Sequence, residues 1–314
     1  MSACLLCGSE DVSFRFGATD RLHRTTARAF TILRCAQCGL MRLDPQPTAA
    51  EARAYHPANY WFAPDKTAAG GMEEAYRRLV LRDHARFVER ALRDSGENGR
   101  LLDVGCGGGL LLGMMRGRGF RVTGLDNSAA AAAIAWSRQG APAVCGVLEQ
   151  APLRAGSFAA ITMFHVLEHV PDPRAYVAAA HHLLAENGRL IAQTPNAACW
   201  QFGMLGARWS GLDVPRHLFD FRAGDLERLI ESSGFRVLRR KQFSWRDNPA
   251  ALASSAAPGL DPMGRRTRGV RESRWGRIAK DLAYFALVAG AAPFTLLEAA
   301  AGAGATIMIE ARKA

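Results

Sequence analysis

Arg100-Leu101-Leu102-Asp103-Val104-Gly105-Cys106-Gly107-Gly108-Gly109 is the stretch on which the reading of this chain turns. Leu101, Leu102 and Val104 make a short buried strand, and glycines end it at once. Leu110 to Arg118 then reads as a helix. Glycines at a strand-to-helix junction let a ligand approach the backbone closely, and the first N–H groups of the helix point at it. A nicotinamide-type GxGxxG would need glycine at position 110, where Leu110 stands. The spacing is instead Asp-x-Gly-x-Gly-x-Gly, and an acid ahead of the loop suits a cationic ligand better than a pyrophosphate. Further on, Asp126 closes the second strand, Phe120 to Leu125. A carboxylate at that point accepts hydrogen bonds from both hydroxyls of a ribose.

Outward from this loop the chain alternates. Ser128 to Gln139 reads as a helix, and Pro142 to Val147 and Phe158 to Phe164 as strands. Asp172 caps a helix with Pro173 in its first turn, and Asn187-Gly188 stops it. Arg189 to Gln193 is a strand, Asp225 to Ser233 a helix, Phe235 to Phe243 a strand and Ala305 to Arg312 a last strand. This rhythm predicts an α/β, doubly wound, Rossmann-like parallel sheet. Upstream, Leu79, Val80, Phe87, Val88 and Leu92 predict one face of a helix over Glu73 to Arg93 that ends near Gly96. Pro45 to Pro64, with Tyr55, Tyr60, Trp61 and Phe62, reads as an ordered linker. The expected organisation is a cysteine module over 1–45, linker and helix over 46–98, core over 99–247, helical insertion over 248–304 and final strand over 305–314.

With 49% hydrophobic and 22% charged residues in 314, the chain is globular rather than disordered. Its net charge of +11 would suit an anionic partner, but the excess is nearly all arginine, which lowers the weight of that signal. Seven cysteines include the pairs Cys4-Cys7 and Cys35-Cys38. Four thiolates on two turns predict a structural Zn2+ site in a reducing compartment rather than a disulfide framework. The opening MSACLLCGSE lacks the pattern of a signal peptide, and the expected localisation is cytoplasmic. In the insertion, Arg265, Arg266, Arg268, Arg271, Arg274 and Arg277 precede the uncharged run Leu282 to Leu297. Either residues 265–297 make peripheral contact with an anionic membrane, or they form a helical hairpin on the domain. The run is too short to span a bilayer comfortably.

Histidines supply the candidates for proton removal, since imidazole titrates near neutrality. His165 ends a strand at the edge where ligands bind, and His169 follows one helical turn later. His217 lies in the segment Asp213-Val214-Pro215-Arg216-His217-Leu218-Phe219. There Arg216 could grip a phosphate or carboxylate and the nearby Trp209 could face an acceptor. His165 and His169 could equally be turn residues. His23, His56, His84, His181 and His182 read as structural or solvated.

Taken together these motifs resemble the class I S-adenosylmethionine-dependent methyltransferases, from Arg100 to Lys241. Leu101 to Gly109 matches their first motif and Gly124-Leu125-Asp126 their second. Phe164-His165-Val166-Leu167-Glu168-His169-Val170-Pro171-Asp172-Pro173 is similar to the segment after strand four in the ubiquinone-type O-methyltransferase branch. Asn187-Gly188-Arg189-Leu190 and Thr194-Pro195-Asn196 match the turn into strand five and its end. The resemblance implies S-adenosyl-L-methionine as cofactor. It implies that Asp103 and the Gly105, Cys106, Gly107 and Gly109 backbone surround its methionine part and that Asp126 holds the ribose. Asn127, Leu148 and Glu149 would then lie around the adenine, with His165 at the same edge. The N-terminal CxxCG pairs resemble the zinc-binding domain ahead of some sugar C-methyltransferases. The expectation is methyl transfer to a small-molecule acceptor at oxygen: a sugar, a phenol or quinone, or a lipid-linked metabolite. An RNA methyltransferase and a non-catalytic S-adenosylmethionine-binding protein stay open. Against nucleic acid, strand five ends Thr194-Pro195-Asn196-Ala197 rather than in an NPPY-type tetrad, and the cysteine knuckles lack interleaved basic and aromatic residues.

Overall fold

The computed structural model describes residues 3–57 and 68–314, and the chain divides into two compact units. One comprises 1–60, 195–225 and 247–307, the other 61–194, 226–246 and 308–314. The chain begins with β1 (Val12–Thr19), β2 (Ala29–Cys35) and β3 (Met41–Asp44). Within the expected linker, α1 (Ala49–Ala54) forms behind a reciprocal cap. Thr48 Oγ1 accepts from the Glu51 amide at 3.3 Å, and Glu51 Oε2 accepts from the Thr48 amide at 2.8 Å. Tyr60, Trp61, Phe62 and Pro64 lie outside the described residues.

The one helix expected over Glu73 to Arg93 is two, α2 (Ala68–Val80) and α3 (Arg82–Ser95), parted at Leu81. The break shifts the phase of the apolar face: Leu81 is buried, while Leu79, expected inside, is 55% exposed. α3 buries His84, Ala85, Val88, Ala91, Leu92 and Ser95, a spacing of three and four that keeps one face inward, and Gly96 ends it at φ 67°. Then come β4 (Arg100–Val104), α4 (Leu110–Arg116), β5 (Arg121–Asp126), α5 (Ala129–Gln139), β6 (Ala143–Cys145), β7 (Phe158–Phe164), α6 (Pro173–Leu183) and β8 (Leu184–Pro195). Asp172 caps α6 by accepting from the Ala175 amide at 3.0 Å. That helix ends at Leu183, so Asn187 and Gly188 fall inside β8 instead of stopping the helix.

The remaining elements are α7 (Trp200–Leu205), β9 (Phe219–Asp220), α8 (Ala223–Glu231), β10 (Phe235–Lys241), α9 (Asn248–Ala256), α10 (Pro262–Thr267), α11 (Arg274–Ala300) and β11 (Thr306–Lys313). The large sheet runs β10-β11-β8-β7-β4-β5-β6. Its middle pairs are parallel, as expected, but β10 and β11 are antiparallel. β4 is buried at Leu101, Leu102, Asp103 and Val104, the near-continuous apolar run of a strand covered on both faces. Leu101, Leu112, Met115, Val122 and Ile191 form its core with α3. Each large apolar side chain so buried contributes about 1.5–3 kcal/mol. In the first unit β1, β2, β3 and β9 form a separate sheet in that order. Met41 and Arg42 pair there with Asp220 and Phe219, some 180 positions away along the chain.

Candidate cofactor site and cysteine cluster

β4 is where the strand order of the large sheet reverses, with β5 and β6 on one side and β7 and β8 on the other. Ligands of open α/β sheets bind beyond the strand carboxyl ends at such a point. There Gly105, Gly107 and Gly109 have φ of 70°, 51° and 74°. A Cβ on Gly105 would stand 2.6 Å from Val166 Cγ2, and one on Gly109 2.7 Å from Ala135 Cβ. Both the turn and its packing therefore require glycine.

Two carboxylates flank the loop. Asp126 Oδ2 accepts from the Gly107 amide and Oδ1 from the Ser128 amide, both at 2.9 Å. Each oxygen keeps a further lone pair, so Asp126 clamps the loop and still offers two acceptors. Burial outweighs these two bonds and raises its pKa. Asp103 is deeper and accepts from Thr162 Oγ1 at 2.6 Å. Burial, with the charge of Asp126 adding to it, pushes Asp103 up to about 7. The same burial, with both acids beside it, lifts the Cys106 thiol well above its ordinary range. Two acids whose ionisation is costly are poised to gain from a bound cation. Asn127 is exposed after Asp126. Leu148 is buried in a single turn over Leu148–Gln150, with Glu149 exposed beside it. The Tyr176 phenol accepts from the Leu148 amide and is pushed up to about 12 by its burial and then by the charge of Glu149.

His165 follows β7 with φ 57°, a conformation that costs a non-glycine residue energy and clusters at functional sites. Its two nitrogens are both engaged. Nδ1 donates to Glu168 Oε1 at 3.0 Å, so Nε2 carries the lone pair and accepts from Gln193 Nε2 at 2.9 Å. Gln193 Oε1 in turn accepts from His84 Nε2 at 2.7 Å. His84 Nδ1 donates to Asp83 Oδ1 at 2.9 Å, and Lys241 Nζ donates to Asp83 Oδ2 at 2.5 Å. Burial pushes Asp83 up, but the bonds and charges of His84 and Lys241 outweigh it and hold the acid well below the usual carboxylate range. Sequence reading placed His84 among the structural histidines and passed over Gln193. The one available signal was a polar residue inside the apolar strand Leu190-Ile191-Ala192-Gln193. In this arrangement His165 is a link in a chain rather than an open base. His169, whose amide donates to the Val166 carbonyl at 2.9 Å, is half-buried in the turn that follows.

The other unit holds Trp209, Arg216 and His217. Trp209 is buried against Phe202, ring centroids 5.5 Å apart. Arg216, expected to grip an anionic group of an acceptor, is fully buried on its own chain's acids. Nη2 donates to Asp20 Oδ1 at 2.9 Å and Asp213 Oδ1 at 2.7 Å, and Nη1 to the Tyr55 carbonyl at 3.3 Å. Burial alone would lower its pKa and raise those of the acids. The mutual attraction wins, raising the guanidinium and depressing both acids. His217 Nδ1 donates to the Gly211 carbonyl at 2.9 Å, which fixes the tautomer with Nε2 as the basic nitrogen.

In the same unit Cys4, Cys7, Cys35 and Cys38 bring their four Sγ atoms within 4.8 Å of one another. Cys4 and Cys38, and Cys7 and Cys35, stand 3.5 Å apart, far beyond a disulfide bond. Zinc–sulfur bonds of about 2.3 Å in a tetrahedron place sulfurs about 3.8 Å apart. The cluster therefore fits one Zn2+ ion. Gly8 and Gly39, at φ 76° and 79°, donate to the Cys4 and Cys35 carbonyls at 2.9 Å and close the two knuckles.

The methyltransferase-domain family model matches residues 73–240. The ubiquinone biosynthesis O-methyltransferase of Pseudomonas aeruginosa is 35% identical over 131 residues, 39% of this chain and 56% of that protein. Its namesake from Erwinia tasmaniensis is 33% identical over 174 residues, 52% of this chain and 71% of the relative. The chain thus spans little more than half the length of the Pseudomonas relative. The crystal structure of a SAM-dependent methyltransferase from Archaeoglobus fulgidus shares the fold: TM-score 0.50 at 15% identity, over 79% of this chain and 100% of that one.

Proposed function

Because the chain belongs to the methyltransferase-domain family, we propose that it transfers a methyl group from S-adenosylmethionine to an oxygen of a small-molecule acceptor. The observation that carries the reading is the pair of buried acids around the glycine loop at the sheet's switch point, Asp103 raised to about 7 and Asp126 clamping Gly107. S-adenosylmethionine supplies an electrophilic methyl on a cationic sulfur. The Gly105, Cys106, Gly107 and Gly109 backbone and Asp103 would hold its methionine part, Asp126 the ribose hydroxyls, and Asn127, Leu148 and Glu149 the adenine. Asp103 would give up its proton as positive charge arrives. The glycine turn, pinned by Asp126, needs no rearrangement to stay open to a ligand.

Removing a proton from a hydroxyl acceptor falls to His217, whose Nδ1 donates to the Gly211 carbonyl so that Nε2 is its basic nitrogen, with His169 the second candidate. His165, bonded through both nitrogens, positions rather than accepts. Phenols and quinone-type acceptors are favoured by the likeness to the ubiquinone biosynthesis O-methyltransferases. Zn2+ on the four cysteines would be structural, with no open ligand position.

Calorimetric titration with S-adenosylmethionine and S-adenosylhomocysteine tests the first step. Micromolar binding of both, lost in Asp126→Ala, is expected. No binding to folded protein would overturn the reading. Turnover of phenolic acceptors by Asp126→Ala at the parent rate would overturn the ribose role of Asp126.

A further inference from the structure

We propose that α11 lies on an anionic lipid bilayer, with its outward face among the lipids and the arginines at its N-terminal end on the headgroups. The helix has 27 residues, about 40 Å at 1.5 Å each. It turns a narrow stripe inward: Tyr284, Ala291, Thr295 and Glu298. From Leu282 onward its polar side chains, Tyr284, Thr295 and Glu298, are on that side. Tyr284 Oη is 2.9 Å from Ser254 Oγ, and Glu298 accepts from the Gln201 amide and side chain at 2.9 Å each.

The opposite face is apolar. Trp275, Leu282, Ala286, Ala289, Pro293 and Leu297 recur at seven, four, three, four and four positions, one row along a helix, and every one is exposed. Trp275 is 78% exposed, Leu282 and Leu297 65% each. From Leu282 to Leu297 there is no charged side chain. A helix on the surface of a water-soluble protein carries its polar residues outward, and from Leu282 onward this one carries them inward. The patch continues onto α7, where exposed Trp200 lies 6.2 Å from Phe294, ring to ring, and Met204 is 59% exposed. An apolar surface of this extent marks a contact site.

Charge identifies the occupant. At the start of α11, Arg265 and Lys280 are spent on Glu272 and Asp281. Arg271, Arg274 and Arg277 are exposed and have no ion-pair partner among the described residues. An indole beside uncompensated arginines at the end of an apolar helix face is the composition that seats at the boundary of an anionic membrane. The helix lies on the bilayer and does not cross it. Its inward stripe is hydrogen-bonded to α7 and α9, so lipid cannot surround it.

The inference is independent of the methyl-transfer reading and is tested by flotation of the full chain with vesicles. With phosphatidylcholine–phosphatidylglycerol vesicles the protein should float, and at high salt or with phosphatidylcholine alone it should float markedly less. Replacing Arg271, Arg274 and Arg277 together by alanine should weaken partitioning roughly tenfold or more. Leu282→Glu with Leu297→Glu should abolish flotation while thermal unfolding and S-adenosylhomocysteine binding stay near the parent's. In the unmodified chain, brominated lipids should quench a tryptophan signal that Trp275→Phe removes, which needs no disruptive variant. Absence of flotation and quenching with either vesicle would overturn the proposal. So would a concentration-dependent dimer in sedimentation that the leucine-to-glutamate pair dissociates, since the face would then meet a second copy.

Discussion

His84 Nε2 on α3 donates to Gln193 Oε1 on β8 across 2.7 Å, joining two segments more than a hundred positions apart inside the core of one unit. Behind His84 stand Asp83 and Lys241, and ahead of Gln193 stand His165 and Glu168. Buried polar chains of this kind are costly when one link is cut, because the neighbour loses its partner in a place water cannot reach.

Gln193→Leu should therefore destabilise the protein by about 1–3 kcal/mol in urea unfolding, with the slope unchanged. Gln193→Glu should lose its bond to the lone pair of His165 and shift the pH profile of turnover, which packing alone would not do. A change below about 0.5 kcal/mol in Gln193→Leu would show that the chain contributes nothing to stability.

Asp103 gives a pH dependence with a definite sign. Its pKa is raised from 3.8 unfolded to about 7 folded, so the folded state holds the extra proton. Its contribution is present at low pH and is lost as pH rises from about 4 through 7. Asp103→Asn keeps an acceptor for Thr162 and removes the titration. Compared with the parent it should be nearly equal in stability at pH 4 and more stable at pH 8, by a few kcal/mol at most. Equal stability at both pH values would show that Asp103 ionises normally. Cofactor binding near pH 6 should also release a proton in the parent and not in Asp103→Asn, measurable by calorimetry in buffers of different ionisation enthalpy.

Arg216 is expected to matter to folding. Its guanidinium lies between Asp20 and Asp213 with no exposure. Arg216→Met strands two buried acids and should cost about 3–5 kcal/mol. Arg216→Met with Asp20→Asn and Asp213→Asn should recover part of that. A parent-like melting curve for Arg216→Met, with a raised KM for acceptor, would instead return Arg216 to substrate binding.

The cysteine cluster should bring down one zinc per chain in elemental analysis. Cys35→Ser should lose the metal and melt at lower temperature, and a strong chelator should do the same to the parent. A metal-free parent whose melting temperature the chelator does not change would refute a structural zinc.

Gly105→Ala sets a side chain at φ 70° and 2.6 Å from Val166 Cγ2. Cofactor affinity should fall tenfold or more, since the loop must move to relieve the clash. Gly146→Ala, with no atom nearer than 4.0 Å, should be silent.

Much of this molecule was legible along the chain. The strand and glycines at Leu101–Gly109, the cap at Asp172, and the CxxC pairs are local patterns, because a few neighbouring residues settle their backbone conformation and hydrogen bonds. The break at Leu81 was missed because nothing local ends the helix there, and burial of Leu81 in the core decided the phase. Tertiary structure alone decided the rest. Phe219 and Asp220 pair with β3, Arg216 is spent on Asp20, and His84 meets Gln193, all between residues that no short window contains. The apolar row from Trp275 to Leu297 has a period that can be read in sequence, but whether it faces the core or the outside cannot. Periodicity specifies which residues share a face of a helix, and only the neighbours that pack on the other side determine which face is left uncovered.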